Sequence, residues 1–278
     1  MPVGWLRGGA TLPGVVDPAP AMRLHGVVNA SPDSLADFSV ATTVEGAVTR
    51  AAELLDQGCV GIDLGGAGST QYADRVDVET EWQRLDGKVQ ALAALCESQG
   101  AQLSVDSWQS EVMRRALACG ATVINAADGL QNRAMVQLAA EQDVPVVVPF
   151  VWGADPKASR PVSGDPVEVI CGWFERSLRL WEAAGVERRR LILDPGTGFG
   201  PPGWEWADRY RYQKRVYENL GALRAFGLPL YLPLPWKQTD QHNELLDICI
   251  RAGFDYGRCH RPDRVLEAMQ RLGCVAER

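Results

Sequence analysis

Histidine is scarce in this chain: His25, His242 and His260 are the three in 278 residues, with no His-x-x-x-His and no clustered Cys/His spacing. That excludes the common zinc-site patterns. The seven cysteines, Cys59, Cys96, Cys119, Cys171, Cys249, Cys259 and Cys274, are odd in number, widely spread and without a Cys-x-x-Cys pair, so neither a disulfide framework nor a redox motif is read from them. In LLDQGCVGIDL and LLDICIRAGF they stand in apolar company, as small core residues do. Basic charge is in deficit: 28 Lys and Arg against 35 Asp and Glu give a net charge of -7. No basic stripe for a phosphate backbone can be built from that balance, which excludes nucleic acid as a partner. Long hydrophobic runs are missing as well, since stretches such as VPVVVPFVW fall far short of the roughly 20 residues that span a bilayer. The opening MPVGWLRGGATLPG lacks a basic start followed by a continuous apolar stretch. The expectation is a soluble, cytoplasmic protein with no membrane partner.

What the chain does have is alternation. Short β-rich apolar runs recur: LHGVVN, CVGIDLGG, QLSVDS, ATVINA, VPVVVPF, LILDPG, LPLYLPLP and FDYGRCH. Between them lie amphipathic stretches with apolar residues three and four apart, including VEGAVTRAAELLDQG, VETEWQRLDGKVQALAALCESQG and PVEVICGWFERSLRLWEAAG. Near-continuous apolar strands fit a parallel sheet buried on both faces, and eight such units predict a single closed (β/α)8 barrel, with an open doubly wound sheet as the alternative. No low-complexity linker divides the chain. Residues 1–21 read as an N-terminal extension or a cover for the barrel base, and 22–278 as the barrel. The long loops WGADPKASRPVSGD and GTGFGPPGWEWADRYRY follow the fifth and sixth strands, on the face where barrel active sites are built.

In such a barrel the polar residues closing the strands converge on one pocket: Asn29, Asp63, Asp106, Asn125, Asp194, Lys237, Arg258 and His260. Singly, each could be a helix cap or turn former. As a set of carboxylates, amides and cations they suit a flat, hydrogen-bonding heterocycle bearing an anionic group. Cys259 lies between Arg258 and His260, but strand alternation points it away from both, against thiolate chemistry.

These segments resemble the dihydropteroate synthase family. GVVNASPDS is similar to its first-strand N-x-T-P-D-S-F, GIDLGGAGST to D-x-G-G-E-S-T-R, and LSVDSW to S-V-D-T. ATVINA is similar to I-I-N-D, LILDPGTGFG to D-P-G-I-G-F-G, PLYLPLPWKQT to the strand ending S-R-K-S, and GRCHRPD to R-V-H-D-V. The resemblance runs in order from about residue 22 to 272. It implies that Asp106, Asn125 and Asp194 hydrogen-bond the edge of a dihydropterin, with Lys237 beside the ring and Gly198 and Phe199 close by. It implies that Asn29 helps hold Mg2+ and the diphosphate, and that Arg258 and His260 bind the diphosphate oxygens. Lys237, Arg258 and His260 would be the catalytic residues. The implied reaction joins the pterin methylene to an aromatic amine with loss of diphosphate, in an enzyme that pairs as a homodimer.

The departures from the family pattern cluster on the rim of the second substrate. The family's loop glutamate and arginine give way to Gly66, Ala67, Gly68, Ser69, Thr70 and Gln71. The residues flanking Lys237 are Pro235, Trp236 and Gln238; Pro149 and Phe150, then Trp152, replace a Met-His pair; Pro201 stands for a lysine and Ala126 for an aspartate. Thr70, Gln71, Phe150, Trp152, Trp236 and Gln238 are therefore the expected rim. With its arginines gone, and Trp204 and Trp206 adding flat apolar surface, the rim is expected to hold the carboxylate of p-aminobenzoate poorly and to admit another nucleophile. Two other readings stand beside the transferase. One is a paralogue that binds pterin as a carrier or regulator without turnover. The other is the methyltetrahydrofolate domain of a corrinoid methyltransferase, which NASPDS and RCH fit poorly.

Overall fold

The computed structural model describes residues 22–32, 36–68 and 73–277. The assignment of residues 1–21 and the rim positions Thr70 and Gln71 thus lie outside the described residues. The predicted apolar runs form eight strands: β1 (Arg23–Asn29), β2 (Gly61–Gly65), β3 (Gln102–Ser107), β4 (Val123–Ala126), β5 (Val146–Pro149), β6 (Leu191–Asp194), β7 (Tyr231–Pro233) and β8 (Tyr256–Cys259). They are hydrogen-bonded in the order β6-β5-β4-β3-β2-β1-β8-β7, each pair parallel. A parallel bridge between Leu193 and Leu230, with Leu193 N donating to Pro229 O at 2.9 Å, brings β6 back to β7. The fold is a single (β/α)8 barrel, not an open sheet. Its seam between β6 and β7 is thin for a chemical reason: Pro229, Pro233 and Pro235 carry no N–H to donate across it.

Ten α-helices surround the strands among the described residues: α1 (Val44–Asp56), α2 (Val78–Leu85), α3 (Lys88–Ser98), α4 (Ser110–Ala118), α5 (Arg133–Glu141), α6 (Pro166–Ala183), α7 (Trp206–Tyr217), α8 (Leu220–Arg224), α9 (Asp240–Ala252) and α10 (Pro262–Arg271). Side-chain oxygens of Thr43, Asp77, Asn132, Asp165 and Thr239 accept backbone N–H groups at the starts of α1, α2, α5, α6 and α9, satisfying donors that the helix itself leaves open. The stretch 78–100, which reads as one amphipathic run, is two helices. Gly87, at φ +72°, adopts a left-handed conformation between them, and its N–H is accepted by Asp86.

Alternation along each strand splits the apolar residues into two sets. Outward side chains such as Leu24, Ile62, Val105, Ile124, Val148, Leu193 and Cys259 join the continuous core between strands and helices. Inside the barrel, Val123, Val147, Ile192, Tyr231 and Tyr256 form a small separate cluster, with His25 edge-on to Tyr231 at 5.6 Å. This plug ends where the next inward residues are polar, and that boundary is the floor of the site.

One turn fixes the approach of the fifth and sixth loops. Gly196 lies at φ +71°, and a Cβ there would stand 2.0 Å from Phe150 O. No flexible side chain can yield to relieve that contact. Gly196→Ala is expected to lose more than about 3 kcal/mol of stability, measured by urea unfolding, whereas Gly203→Ala, where a Cβ meets nothing within 4 Å, carries only the cost of its positive φ.

Candidate active site

At the floor, β8 sends Arg258 into the barrel. Its Nε donates to Asp63 Oδ2 at 2.5 Å and its Nη2 to Asp106 Oδ2 at 3.2 Å. Asp63 is completely buried, and its other oxygen accepts from Ser104 Oγ at 2.5 Å and Asn125 Nδ2 at 3.3 Å. Strand register explains the grouping: Asp63 pairs with Ser104, Asp106 with Asn125, and Pro149 with Asp194 across neighbouring strands. Asn125 and Asp194 are 6% and 7% exposed. Gly196 N donates to Asp194 Oδ1 at 2.7 Å, so the loop after β6 begins by folding onto its own strand-end carboxylate.

Burial governs the charge of these acids. It pushes the Asp106 carboxyl up to about 7 against the pull of Arg258, with Asp63 and Glu81 adding repulsion. The Asp194 carboxyl is likewise pushed up to about 7 by burial, while the Gly196 N–H and Arg258 hold it down. Each therefore sits close to its midpoint near neutral pH.

Above the floor, β1 and the loop after it complete one wall. Asn29 Nδ2 donates to Ser39 Oγ at 2.7 Å, Ser39 Oγ donates to Ala36 O at 2.6 Å, and His260 Nδ1 lies 3.2 Å from the same hydroxyl. Burial, with Arg258 and Arg50 beside it, pushes the His260 imidazole down to about 3; at neutral pH it is an uncharged ring. Phe38 and Trp236 meet edge-on at 5.6 Å, and Trp236 lies 5.7 Å from the His260 ring.

A cavity of about 190 Å³ opens over this floor, lined by Asn29, Asp106, Gly198, Trp236, Lys237, Arg258 and His260 among others. Lys237 is on its exposed edge, with Nζ 5.6 Å from the Trp236 ring centroid. Gln238 is exposed as well. The predicted ring-side residue Phe199 faces elsewhere: with Phe150, Trp152, Arg160, Trp204 and Tyr212 it lines a second, smaller cavity. Phe150, expected on the rim, is 3% exposed, stacked on Trp152 at 6.1 Å and edge-on to Trp173 at 5.4 Å. Gly198 and Phe199 are thus neighbours in sequence that serve opposite sides of one loop.

Sequence reasoning named Asp63 as a strand-end acid but gave it no role; its function as the buried partner of Arg258 emerges from the geometry. Arg209, Gln213 and His242 also line the main cavity, and none of them was given a site role because they sit on α7 and α9 instead of at strand ends. The spacing of Thr239 and His242 at a helix start was a signal for His242 alone.

The metal expectation rests on Asn29. Among the described residues no group of three or more His, Cys, Asp or Glu is placed to hold a metal ion. Asn29 Oδ1 faces Gly65, at 3.7 Å from where a Cβ there would be. One neutral amide oxygen fits a Mg2+ that keeps several waters and takes its remaining ligands from a diphosphate.

A closed parallel barrel with buried acids, amides and an arginine at the C-terminal strand ends belongs to the class of (β/α)8 small-molecule enzymes. Within that class the chain belongs to the pterin binding enzyme family, which matches residues 25–260. The dihydropteroate synthase of Escherichia coli K12 is 33% identical over 217 residues, covering 77% of this chain and 73% of that protein. A probable bifunctional folylpolyglutamate synthase/dihydropteroate synthase of Halobacterium salinarum is 37% identical over 189 residues; the match spans 66% of this chain and 23% of the archaeal protein's length. Among solved structures, the dihydropteroate synthase of Xanthomonas albilineans with 4-aminobenzoic acid superposes with a TM-score of 0.76 at 28% identity, covering 91% of this chain and 94% of that one.

The raised affinity of Asp194 for its proton has a definite sign. The folded state holds the proton more tightly than the unfolded chain, so ligand-free stability falls as pH rises from about 4 to about 7. Asp194→Asn, which can still accept from Gly196, is expected to raise the melting temperature of the ligand-free protein at pH 8 and to leave it unchanged at pH 4, as read by differential scanning fluorimetry.

Proposed function

We propose that this chain is a dihydropteroate-synthase-like transferase that binds a 6-hydroxymethyl-dihydropterin diphosphate and joins its methylene carbon to an aromatic amine. The observation that supports the reading is the network of Arg258 with Asp106 and with Asp63, which Asn125 also meets, beside the buried Asp194 and with Asp106 and Arg258 lining the cavity, in a chain of the pterin binding enzyme family. The buried acids and amide match the donor and acceptor edge of an aminopyrimidinone, and a site built for such donors rejects analogues without them. In the reaction the C–O bond to diphosphate breaks, the C–N bond forms, and the amine nitrogen gives up a proton. The chain's task is positional and electrostatic. Arg258 bridges the pterin end and the diphosphate end, His260 offers an uncharged ring beside it, and Lys237 brings a cation to the open edge. Asn29 would hold Mg2+, which when bound shares the charge of the diphosphate.

A pterin carrier needs no diphosphate cradle, and Asn29, Arg258 and His260 at the same cavity favour the transferase over that alternative. The family resemblance also implies a cytoplasmic homodimer. Consistent with a protein outside the bilayer, no helix among the described residues is long and apolar enough to cross a membrane.

The test is to incubate the purified protein with the dihydropterin diphosphate, Mg2+ and a panel of aromatic amines, following adducts by mass spectrometry. Diphosphate-dependent adduct formation is expected. Arg258→Lys, which keeps a cation for Asp63 but cannot bridge two carboxylates, is expected to lower kcat/KM about 100-fold.

A further inference from the structure

Beyond the Leu193–Leu230 bridge the seam between β6 and β7 meets Pro195 on one side and Pro233 on the other, and neither has an N–H to continue the ladder. A side chain of α7 joins the two sides instead. Tyr217 Oη donates to Pro233 O at 2.9 Å and lies 2.8 Å from Thr197 Oγ1. We propose that Tyr217 is a positioning residue: with Thr197 it forms a clasp of two hydroxyls that sets the gap between Gly198 and Pro233, both of which line the main cavity. The consequence for substrate binding rests on the transferase reading above; the clasp itself does not.

The direction of the clasp follows from its chemistry. A carbonyl oxygen can only accept, so the single hydroxyl hydrogen of Tyr217 goes to Pro233 O. Thr197 Oγ1 must then donate to Tyr217 Oη, and the three oxygens make one directed chain from the sixth loop to β7. Thr197 and Tyr217 are both completely buried. Water cannot replace a lost partner there without entering the core, and each bond polarises the next.

Tyr217 is also the last of three donors on one face of α7. Arg209, Gln213 and Tyr217 follow one another at four-residue spacing. Arg209 Nη2 donates to Gly198 O at 3.3 Å, and Gln213 Nε2 donates to Thr197 O at 2.8 Å. Gly196 N is held by Asp194 Oδ1 at 2.7 Å, and Phe199 N by Gly196 O at 3.2 Å. Each residue from 196 to 199 therefore has a backbone group tied down. Arg209 and Gln213 hold the loop to the helix; Tyr217 also reaches β7, and so it fixes the gap. That gap has no slack, since a Cβ at Gly198 would stand 3.2 Å from Pro233 Cβ and 3.3 Å from its Cγ. A wall set this closely changes shape when either side is released.

The experiment compares wild type with Tyr217→Phe, Thr197→Val and Thr197→Ser, and with Leu138→Val as a control in the outer core on α5. Hydrogen exchange of the ligand-free protein, read by mass spectrometry, follows the amides of residues 196–200. Steady-state kinetics use the dihydropterin diphosphate, Mg2+ and the most reactive amine of the panel above. Tyr217→Phe and Thr197→Val are expected to speed exchange in that segment about ten-fold, the loss of one buried hydrogen bond. Both are expected to raise KM for the pterin diphosphate about ten-fold, with KM for the amine within about two-fold. Thr197→Ser, which keeps the hydroxyl, stays near wild type in both readouts. Leu138→Val lowers the urea midpoint and moves neither. Unchanged exchange in Tyr217→Phe, Thr197→Ser behaving as Thr197→Val does, or Leu138→Val matching the clasp variants overturns the clasp. Faster exchange with unchanged KM in an active protein overturns the positioning role. Faster exchange in a protein that forms no adduct keeps the clasp and sinks the transferase; adduct formation with exchange and KM unchanged does the reverse.

Discussion

A charged pair inside a closed barrel is the constraint around which this site is arranged. A carboxylate as deeply buried as Asp63 costs several kcal/mol unless it is matched by a cation and by hydrogen bonds to its remaining lone pairs. Arg258 supplies the cation, and Ser104 and Asn125 take the other oxygen. Once that arrangement is met, little freedom is left. The guanidinium plane is fixed by Asp63 and Asp106 before any ligand arrives, Asn125 has one side of its amide committed, and Asp106 shares its partner with a second acid. The pair is therefore weak evidence for stability and strong evidence for pre-organisation: the groups that would meet a substrate are held by groups that never touch it.

The proline-rich β7 sets the shape of the rest. Every other neighbouring pair of strands is joined by a ladder of two or more register pairs, but β6 and β7 share one bridge. The cavity lies beside that seam, where Gly198 approaches Pro233 so closely that a Cβ would stand 3.2 Å from the ring. A wall with few backbone donors can carry helices that lean over it, and α7 and α9 do so, bringing long polar side chains to a mouth otherwise furnished by strand ends.

Much of this was legible in the sequence because strands impose a period of two. Position at the strand ends grouped Asp106, Asn125, Asp194 and Arg258, and alternation turned Cys259 away from Arg258; Cys259 lies in the outer core, and Arg258 reaches Asp106 inside the barrel. Period alone does not reach into loops. Gly198 and Phe199 are adjacent, yet the left-handed turn at Gly196 sends one to each cavity. Phe150 read as rim because it stands where the family pattern has a Met-His pair, whereas Trp152 and Trp173 draw it into the core. Arg209 and Trp206 are three apart on α7 and so share a face, but nothing in that spacing says which way the helix leans. The break at Gly87 was masked by apolar residues that continue in phase on either side of it.

One contact far from the floor bears on traffic through the site. Arg75, just beyond the second loop, pairs with Asp155 of the fifth loop at 2.9 Å, and Lys157 donates to Ala73 O at 2.5 Å. These two contacts tie together the loops on either side of the mouth, so neither swings aside without releasing the other. Exposed contacts of this kind contribute about 1 kcal/mol each or less, far below what holds the barrel closed. The tie therefore costs little to release, and of all the contacts around the mouth it is the one whose loss asks least of the fold.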